Sequence, residues 1–288
     1  MYYLLSMGIG VLISISILFN GNLSASYGDI YGLFYIHLFG FILTAIICIY
    51  KKEKPFRRFG VSPFYYLGGC IGVLTVIGNV YSFGKISTTA IVGLGLLGQT
   101  ITSIVIDNYG LLNMEKSKYN KSDIIGISVV LVGITVLIFG SNYAFMPIVL
   151  SLLAGITSVV ARTVNAKLAK ESTPYVSTMY NYITGISFSV IIILLFARNE
   201  IASADYGLNI LWAFGGCFGV LIVSLYNICI YKISSIYTSL CTFVGQILTS
   251  IILDILMAGE FSIQNFMGGF FVTLGLFINL MLEKNRQK

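Results

Sequence analysis

The chain has 288 residues, of which 57% are hydrophobic and only 10% are charged, and its mean hydropathy is +0.92. A soluble domain carries about a quarter charged residues, so this composition excludes an ordinary soluble protein and predicts an all-α integral membrane protein. The formal net charge of +6 is expected to come from basic loops that report orientation in a membrane, and no nucleic-acid partner is expected.

Ten apolar segments follow one another along the chain, each near the length that crosses a hydrocarbon layer of about 30 Å. We interpret the first as a membrane span, because neither a basic start nor a small-residue cleavage site marks it as a signal peptide. The predicted spans are 4–22, 31–50, 64–83, 86–107, 124–139, 146–169, 176–196, 208–231, 234–256 and 266–282.

An internal duplication organises these spans. Residues 68–107 align without a gap to residues 215–254, and the offset of 147 pairs identical Gly, Lys, Gln, Ser and Asp residues. Asn20 matches Asn165 at an offset of 145. The sequence therefore predicts two five-helix repeats, at 1–140 and 146–288, with an outward-facing link at 141–145. Because five is odd, the second repeat must enter the membrane from the opposite side, which makes this an inverted repeat.

The basic residues give an orientation for this arrangement. When the N-terminus is placed on one side, every one of the 17 Lys and Arg residues except Lys85 and Arg198 falls on that same side. The positive-inside rule identifies that side as the cytoplasm. Both termini are therefore predicted to be cytoplasmic.

Spans four and nine each carry a polar stripe. In span nine it runs through Ser239, Thr242, Gln246, Ser250 and Asp254, at steps of three and four residues. Such steps lie on one helical face, and a polar face in lipid must turn toward protein or water. The stripes predict either a substrate pathway near the midplane or hydrogen-bonded contact between helices, and the sequence leaves both open.

The candidate pathway residues combine the two stripes with four asparagines in or beside the spans. They are Gln99, Ser103, Ser239, Thr242, Gln246, Ser250, Asn20, Asn79, Asn165 and Asn227, with Asp107 and Asp254 as acids at helix ends. His37 is expected to be a packing residue. Arg162 is expected to extend from span six to the cytoplasmic surface. Because no carboxylate falls at mid-membrane, a neutral or zwitterionic substrate is favoured.

Catalytic chemistry has no candidates in this sequence. The five cysteines lie within apolar runs, without the spacing of a disulfide framework or metal site, and no catalytic triad or phosphate-binding loop is visible. We therefore expect no enzymatic activity, no cofactor and no metal. The expected partners are a small-molecule substrate and the lipid bilayer. Fusion of the two repeats permits a monomer, and a homodimer stays open.

These features resemble a known family. The run Gly98-Gln99-x-x-Thr102-Ser103-x-x-x-Asp107, followed by Tyr109-Gly110-Leu111-Leu112, resembles the YdcZ-type branch of the drug/metabolite transporter superfamily in its fused ten-helix form. Asn20 with Leu23 and the Gly68-Gly69 pair also match this branch. In the second copy, Ile255-Leu256-Met257 follows Asp254 instead of the Tyr-Gly-Leu-Leu run.

The resemblance implies a multi-pass carrier of the bacterial cytoplasmic membrane with a central cavity, lined mostly by spans one, three, four, six, eight and nine. We expect a transporter of a small metabolite or drug-like compound, an exporter, working by alternating access around a midplane site. The alternatives are a flippase for a lipid-linked intermediate or an accessory membrane subunit. Proton–cation exchange through a glutamate in span one is not implied, because span one contains no acid.

Overall fold

A computed structural model describes residues 1–57, 59–114, 116, 123–138, 144–197, 210–230, 232–233, 235–258 and 263–284. Over these residues the chain forms helices and no β-strand, which confirms the predicted fold class. The ten α-helices are α1 Tyr2–Tyr27, α2 Asp29–Tyr50, α3 Gly68–Ser82, α4 Thr88–Tyr109, α5 Asp123–Ile138, α6 Phe145–Glu171, α7 Pro174–Ile192, α8 Phe214–Cys229, α9 Ser235–Ala258 and α10 Ile263–Lys284. Most of the predicted 141–145 link, together with Lys118, Lys121 and Arg198, lies outside the described residues.

Six of these helices are long and apolar enough to cross a membrane, namely α1, α2, α4, α6, α7 and α9. Their outer faces carry large apolar side chains that the protein leaves uncovered, among them Ile46, Leu153, Leu194, Leu248 and Ile252. A soluble protein rarely exposes so continuous an apolar surface, whereas a bilayer covers it.

Helices α3 and α8 begin later than the sequence predicted. The predicted continuous spans 64–83 and 208–231 are each divided into a short 3-10 turn, at Pro63–Tyr66 and Ile210–Ala213, and an α-helix. The two turns occupy matching positions in the two repeats. At the helix starts, Gly68 leaves room for the side chain of Asn165, and Gly215 leaves room for that of Asn20. Apolar composition alone carries no signal for this break.

Helix pairing follows the repeat. Helix α1 packs against α8 and α9, and its counterpart α6 packs against α3 and α4. Helices α2 and α7 contact each other, as do α4 and α9, and α5 and α10. When each helix is replaced by its repeat mate, the same set of contacts results. This is expected for two copies of one fold related by an approximate two-fold axis.

Glycines at matching positions show the same exchange in detail. A methyl group on Gly155 of α6 would overlap the carbonyl oxygen of Gly95 in α4. A methyl group on Gly10 of α1 would overlap the carbonyl oxygen of Thr242 in α9. Small residues permit this close approach of helix backbones. The α1–α9 and α6–α4 crossings are therefore two versions of one contact.

Candidate functional site

A cavity lies between the two halves. The space that the centre of a water-sized sphere can occupy inside it is about 180 Å³. One water molecule needs roughly 10–15 Å³ on this measure, so the cavity has room for a small solute. Helices α1, α3, α4, α6, α8 and α9 line it, as the family resemblance implied, and α2 and α7 contribute residues as well.

Arg162 corrects the prediction made from the sequence. Its side chain does not reach the cytoplasmic surface: the residue is only 4% exposed and lines the cavity. The guanidinium donates hydrogen bonds to Gln99 Oε1 at 3.4 Å and Ser103 Oγ at 3.2 Å, and also to Ser239 Oγ. Its Cζ lies 5.2 Å from the centre of the Tyr226 ring, within cation–π range. Packing among α4, α8 and α9 holds the charge inside the protein.

Side-chain amides extend the polar wall on both sides of Arg162. Asn165 lies three residues later on α6, and its Nδ2 donates to Asn181 Oδ1 at 2.8 Å. On α8, Asn227 Nδ2 donates to the Pro174 carbonyl and to Thr178 Oγ1, both at 3.3 Å. Asn227 Oδ1 is buried without a hydrogen-bond partner. Two neighbouring helices, α6 and α8, thus place amide groups on one wall.

The wall formed by α1 and the first part of α4 is mainly apolar. Ile13 and Ile17 of α1 and Ile91 and Val92 of α4 line it. Ser16 and Asn20 of α1 and Gln246 of the adjacent α9 add polar groups, and among their atoms Asn20 Oδ1 and Gln246 Nε2 have no hydrogen-bond partner. A buried polar atom that lacks a partner costs about 1–3 kcal/mol, so a bound solute that pairs with it gains affinity.

His37 is a buried packing residue at the crossing of the two halves. Its Nδ1–H donates to the Leu33 carbonyl at 2.8 Å, and its ring centre lies 5.9 Å from that of its repeat mate Tyr182. Methyl groups on Gly40 and Gly185 would overlap the Tyr182 and His37 rings, respectively. Both rings also line the cavity.

The predicted site residues divide into two groups. The cavity wall contains Asn20, Asn79, Gln99, Asn165, Asn227 and Gln246. The hydroxyl residues of the stripes are fully buried outside that wall, and they are Ser103, Ser239, Thr242 and Ser250. Ser103 Oγ lies 3.0 Å from Ser239 Oγ, which joins α4 to α9. Thr242 Oγ1 has no hydrogen-bond partner, and Ser250 Oγ donates to the Ile247 carbonyl within α9. A role for the four hydroxyls in a pathway stays a prediction.

Asp254 joins the far end of α9 to the start of α4. Its carboxylate accepts hydrogen bonds from the backbone N–H of Thr88 at 2.9 Å and of Thr89 at 3.0 Å, and from the Thr89 hydroxyl. Ser87 Oγ accepts from Ala90 N at 3.1 Å. The first turn of α4 is thereby supplied with acceptors that the helix itself lacks. Its repeat mate Asp107 is buried near the end of α4.

The sequence interpretation missed Arg162, Tyr226 and Asn181 as site residues. A charged residue inside a membrane span is rare and marks a functional site by default, so Arg162 carried a usable signal. Asn181 lies within the predicted span 176–196 and carried the same signal as the four candidate asparagines, and Tyr226 is the repeat mate of the candidate Asn79. Lys167, the next basic residue of α6, pairs with Glu171 at 3.3 Å.

Comparison with protein families matches residues 1–136 and 146–278 to a family described as "Putative inner membrane exporter, YdcZ". The chain belongs to the YdcZ exporter family. It is therefore a multi-pass inner-membrane transporter, and this confirms the resemblance drawn from the Gly98–Asp107 run.

Two further comparisons bear on the fold. A search of curated proteins gives no match. A solved structure described as "Crystal structure of protein" superimposes with a TM-score of 0.68 at 12% sequence identity, covering 100% of this chain and 98% of that one. At this identity the similarity shows the fold alone.

Proposed function

We propose that this YdcZ-family protein exports a small metabolite or drug-like compound by alternating access around the cavity between its halves. The observation that carries the proposal is the enclosure of one cavity by matching helices of both repeats. A single chain supplies both sides of the cavity, so a monomer suffices. The direction of transport rests on the description of the family.

Helix packing supports two moving bodies. Helices α3, α4, α6 and α7 form one packed group, and α1, α2, α8 and α9 form its counterpart. Each group takes helices from both repeats. The groups meet through the α2–α7 and α4–α9 contacts. Rocking about the α2–α7 crossing would change the separation of α4 and α9, which bound the cavity.

Contacts between α4 and α9 occupy both ends of this pair. Asp254 holds the start of α4 at the end predicted to face outward. Ser103 and Ser239 meet near the end predicted to face the cytoplasm. In alternating access these two sets of contacts break in turn, so that the cavity opens to one side at a time.

A disulfide lock tests this mechanism without a known substrate. After replacement of the five native cysteines, Ser103→Cys and Ser239→Cys can form a disulfide, because their Oγ atoms lie 3.0 Å apart. A third variant, Ser158→Cys, lines the cavity and reports access. Oxidation should confine labelling of Ser158→Cys by an impermeant thiol reagent to the side of Asp254, and reduction should restore labelling from the other side.

Val105→Cys is the matched control, because Val105 lies on the exposed outer face of α4. The bilayer covers that face, so Val105→Cys should stay unlabelled by the impermeant reagent both before and after oxidation. If labelling of Ser158→Cys from the cytoplasmic side continues after complete oxidation, the α4–α9 contact is not a gate and the alternating-access proposal fails.

A further inference from the structure

We infer that the cavity binds a small organic monoanion, with a carboxylate held at Arg162 and an apolar body against the α1 side. This inference deepens the proposed function by naming the substrate class. It replaces the neutral or zwitterionic substrate favoured from the sequence, because that preference rested on the absence of a mid-membrane carboxylate, and Arg162 was expected at the cytoplasmic surface.

Arg162 lies well inside α6, away from the end of the helix. Nine residues separate it from the end of α6 at Glu171, about 13 Å along the helix. The residue is 4% exposed and lines the cavity. Burying a guanidinium in the membrane is costly, so its location at the cavity wall indicates a use there.

The contacts of Arg162 orient its guanidinium. Gln99, Ser103 and Ser239 accept hydrogen bonds from its terminal nitrogens, and the Tyr226 ring faces its Cζ. These four groups are neutral. A guanidinium fixed in this way is suited to a carboxylate, which it binds through parallel N–H···O bonds.

The charged residues that line the cavity indicate the sign and the magnitude of the charge that a ligand can carry. Among the described lining residues, Arg162 is the only Lys or Arg, and no Asp or Glu is present. A cationic ligand would meet a like charge there in a low dielectric. A phosphate monoester carries about −1.5 to −2 at pH 7, which exceeds the charge of one guanidinium. A monocarboxylate matches it.

The side chains on the opposite wall indicate the polarity of the rest of the ligand. The repeat mate of Arg162 is Ile17, which lines the same cavity with Ile13, Ile91 and Val92. These side chains favour an apolar ligand body. Gln246 Nε2, a donor without a hydrogen-bond partner, adds a polar contact on this wall. One end of the cavity is thus cationic and the other apolar.

Charge-selective thiol reagents test the cationic wall. Ser158 lies one turn from Arg162, and its repeat mate Ile13 lies one turn from Ile17; both line the cavity. The probes are sulfonatoethyl and trimethylammonioethyl methanethiosulfonate, of opposite charge. The anion-to-cation rate ratio should be about tenfold higher for Ser158→Cys than for Ile13→Cys, and should fall by about that factor when Arg162→Gln is added.

Binding to the purified full-length protein tests the ligand class. Phenylacetate, phenylacetamide and phenethylamine share an apolar body and differ in charge. Phenylacetate should bind at least tenfold more tightly than either, Arg162→Lys should keep this order, and Arg162→Gln should remove it. Thermal unfolding and size-exclusion profiles establish that the variants are folded.

Equal affinity for the three compounds, or a phenylacetate preference unchanged in folded Arg162→Gln, would overturn the inference. So would a rate ratio at Ser158→Cys that Arg162→Gln leaves unchanged. If the disulfide lock still controls access while the anion preference is absent, only this inference fails. If the lock has no effect, the proposed transport mechanism fails instead.

Discussion

The two repeats differ at the cavity and agree at the helix crossings. In the second repeat, α6 presents Arg162 and Asn165 to the cavity, while α1 presents Ile17 and Asn20 at the matching positions. Where α1 and α6 cross α9 and α4, both repeats have a glycine against a backbone carbonyl, at Gly10 and Gly155.

This difference follows from what each region has to do. Each helix crossing occurs twice, once in each half, and close packing of the backbones requires a small residue both times. The cavity is shared, so under the proposed function one substrate would meet both walls in a single orientation. Identical walls are therefore unnecessary, and the charge needs to appear only once.

The largest effect concerns inversion itself. Reporter fusions at Gly60 and Asn142 should give opposite signals, with Gly60 cytoplasmic and Asn142 outside, because the basic residues divide in that sense. Alkaline phosphatase, active only outside, and a cytoplasm-dependent fluorescent protein provide the two readouts. Matching signals at the two positions would contradict the inverted arrangement.

The second prediction concerns the matched crossings. Gly10→Ala and Gly155→Ala should each destabilise the protein by about 1–3 kcal/mol, because the added methyl group overlaps backbone. The control is Gly8→Ala, since no atom lies within 4 Å of a methyl group at Gly8. Thermal unfolding in detergent measures the effect. A large effect at only one of the two crossings would show that they are not equivalent.

The third prediction concerns the α4–α9 contact at Asp254. Asp254→Ala removes the acceptor for the backbone N–H groups of Thr88 and Thr89, and should cost about 0.5–2 kcal/mol, as does the loss of other helix caps. Asp254→Asn keeps one side-chain oxygen and should cost less. Thermal unfolding in detergent compares the stability of the two variants. Equal stability of the two variants would mean that the carboxylate does not hold α4.

The smallest effect compares two repeat mates. Ser103 Oγ accepts from Arg162 and meets Ser239, whereas Ser250 Oγ only donates to the Ile247 carbonyl of its own helix at 3.1 Å among its described contacts. Ser103→Ala should therefore destabilise more than Ser250→Ala, by about 0.5–1.5 kcal/mol. In an Arg162→Gln background the difference should shrink. An unchanged difference would place the effect outside the arginine contact.

Several sequence predictions concern features that hydropathy and repetition encode directly. The ten apolar segments and the 147-residue offset predicted the helices and their division into two repeats, because lipid requires continuous apolar helices and a duplicated segment folds in the same way. The breaks at Gly68 and Gly215 were missed. Each glycine lies against an asparagine side chain from another helix, Asn165 and Asn20 respectively, and no local pattern records this contact.

The site was only partly predictable. Six of the predicted polar residues line the cavity, while four hydroxyl residues of the stripes lie at helix contacts. A period of three to four residues identifies the face of a helix that turns away from lipid. It does not distinguish a neighbouring helix from a cavity, because both satisfy a polar side chain.

Composition, periodicity and matched residues are properties of the chain order, and they were enough to predict the membrane class, the duplication and the family. The location of the Arg162 charge depends instead on how the helices pack. From the sequence, its long side chain was expected to extend to the cytoplasmic surface. Acceptors on α4 and α9 and the Tyr226 ring on α8 hold it inward, and those partners meet only when helices distant in sequence pack together.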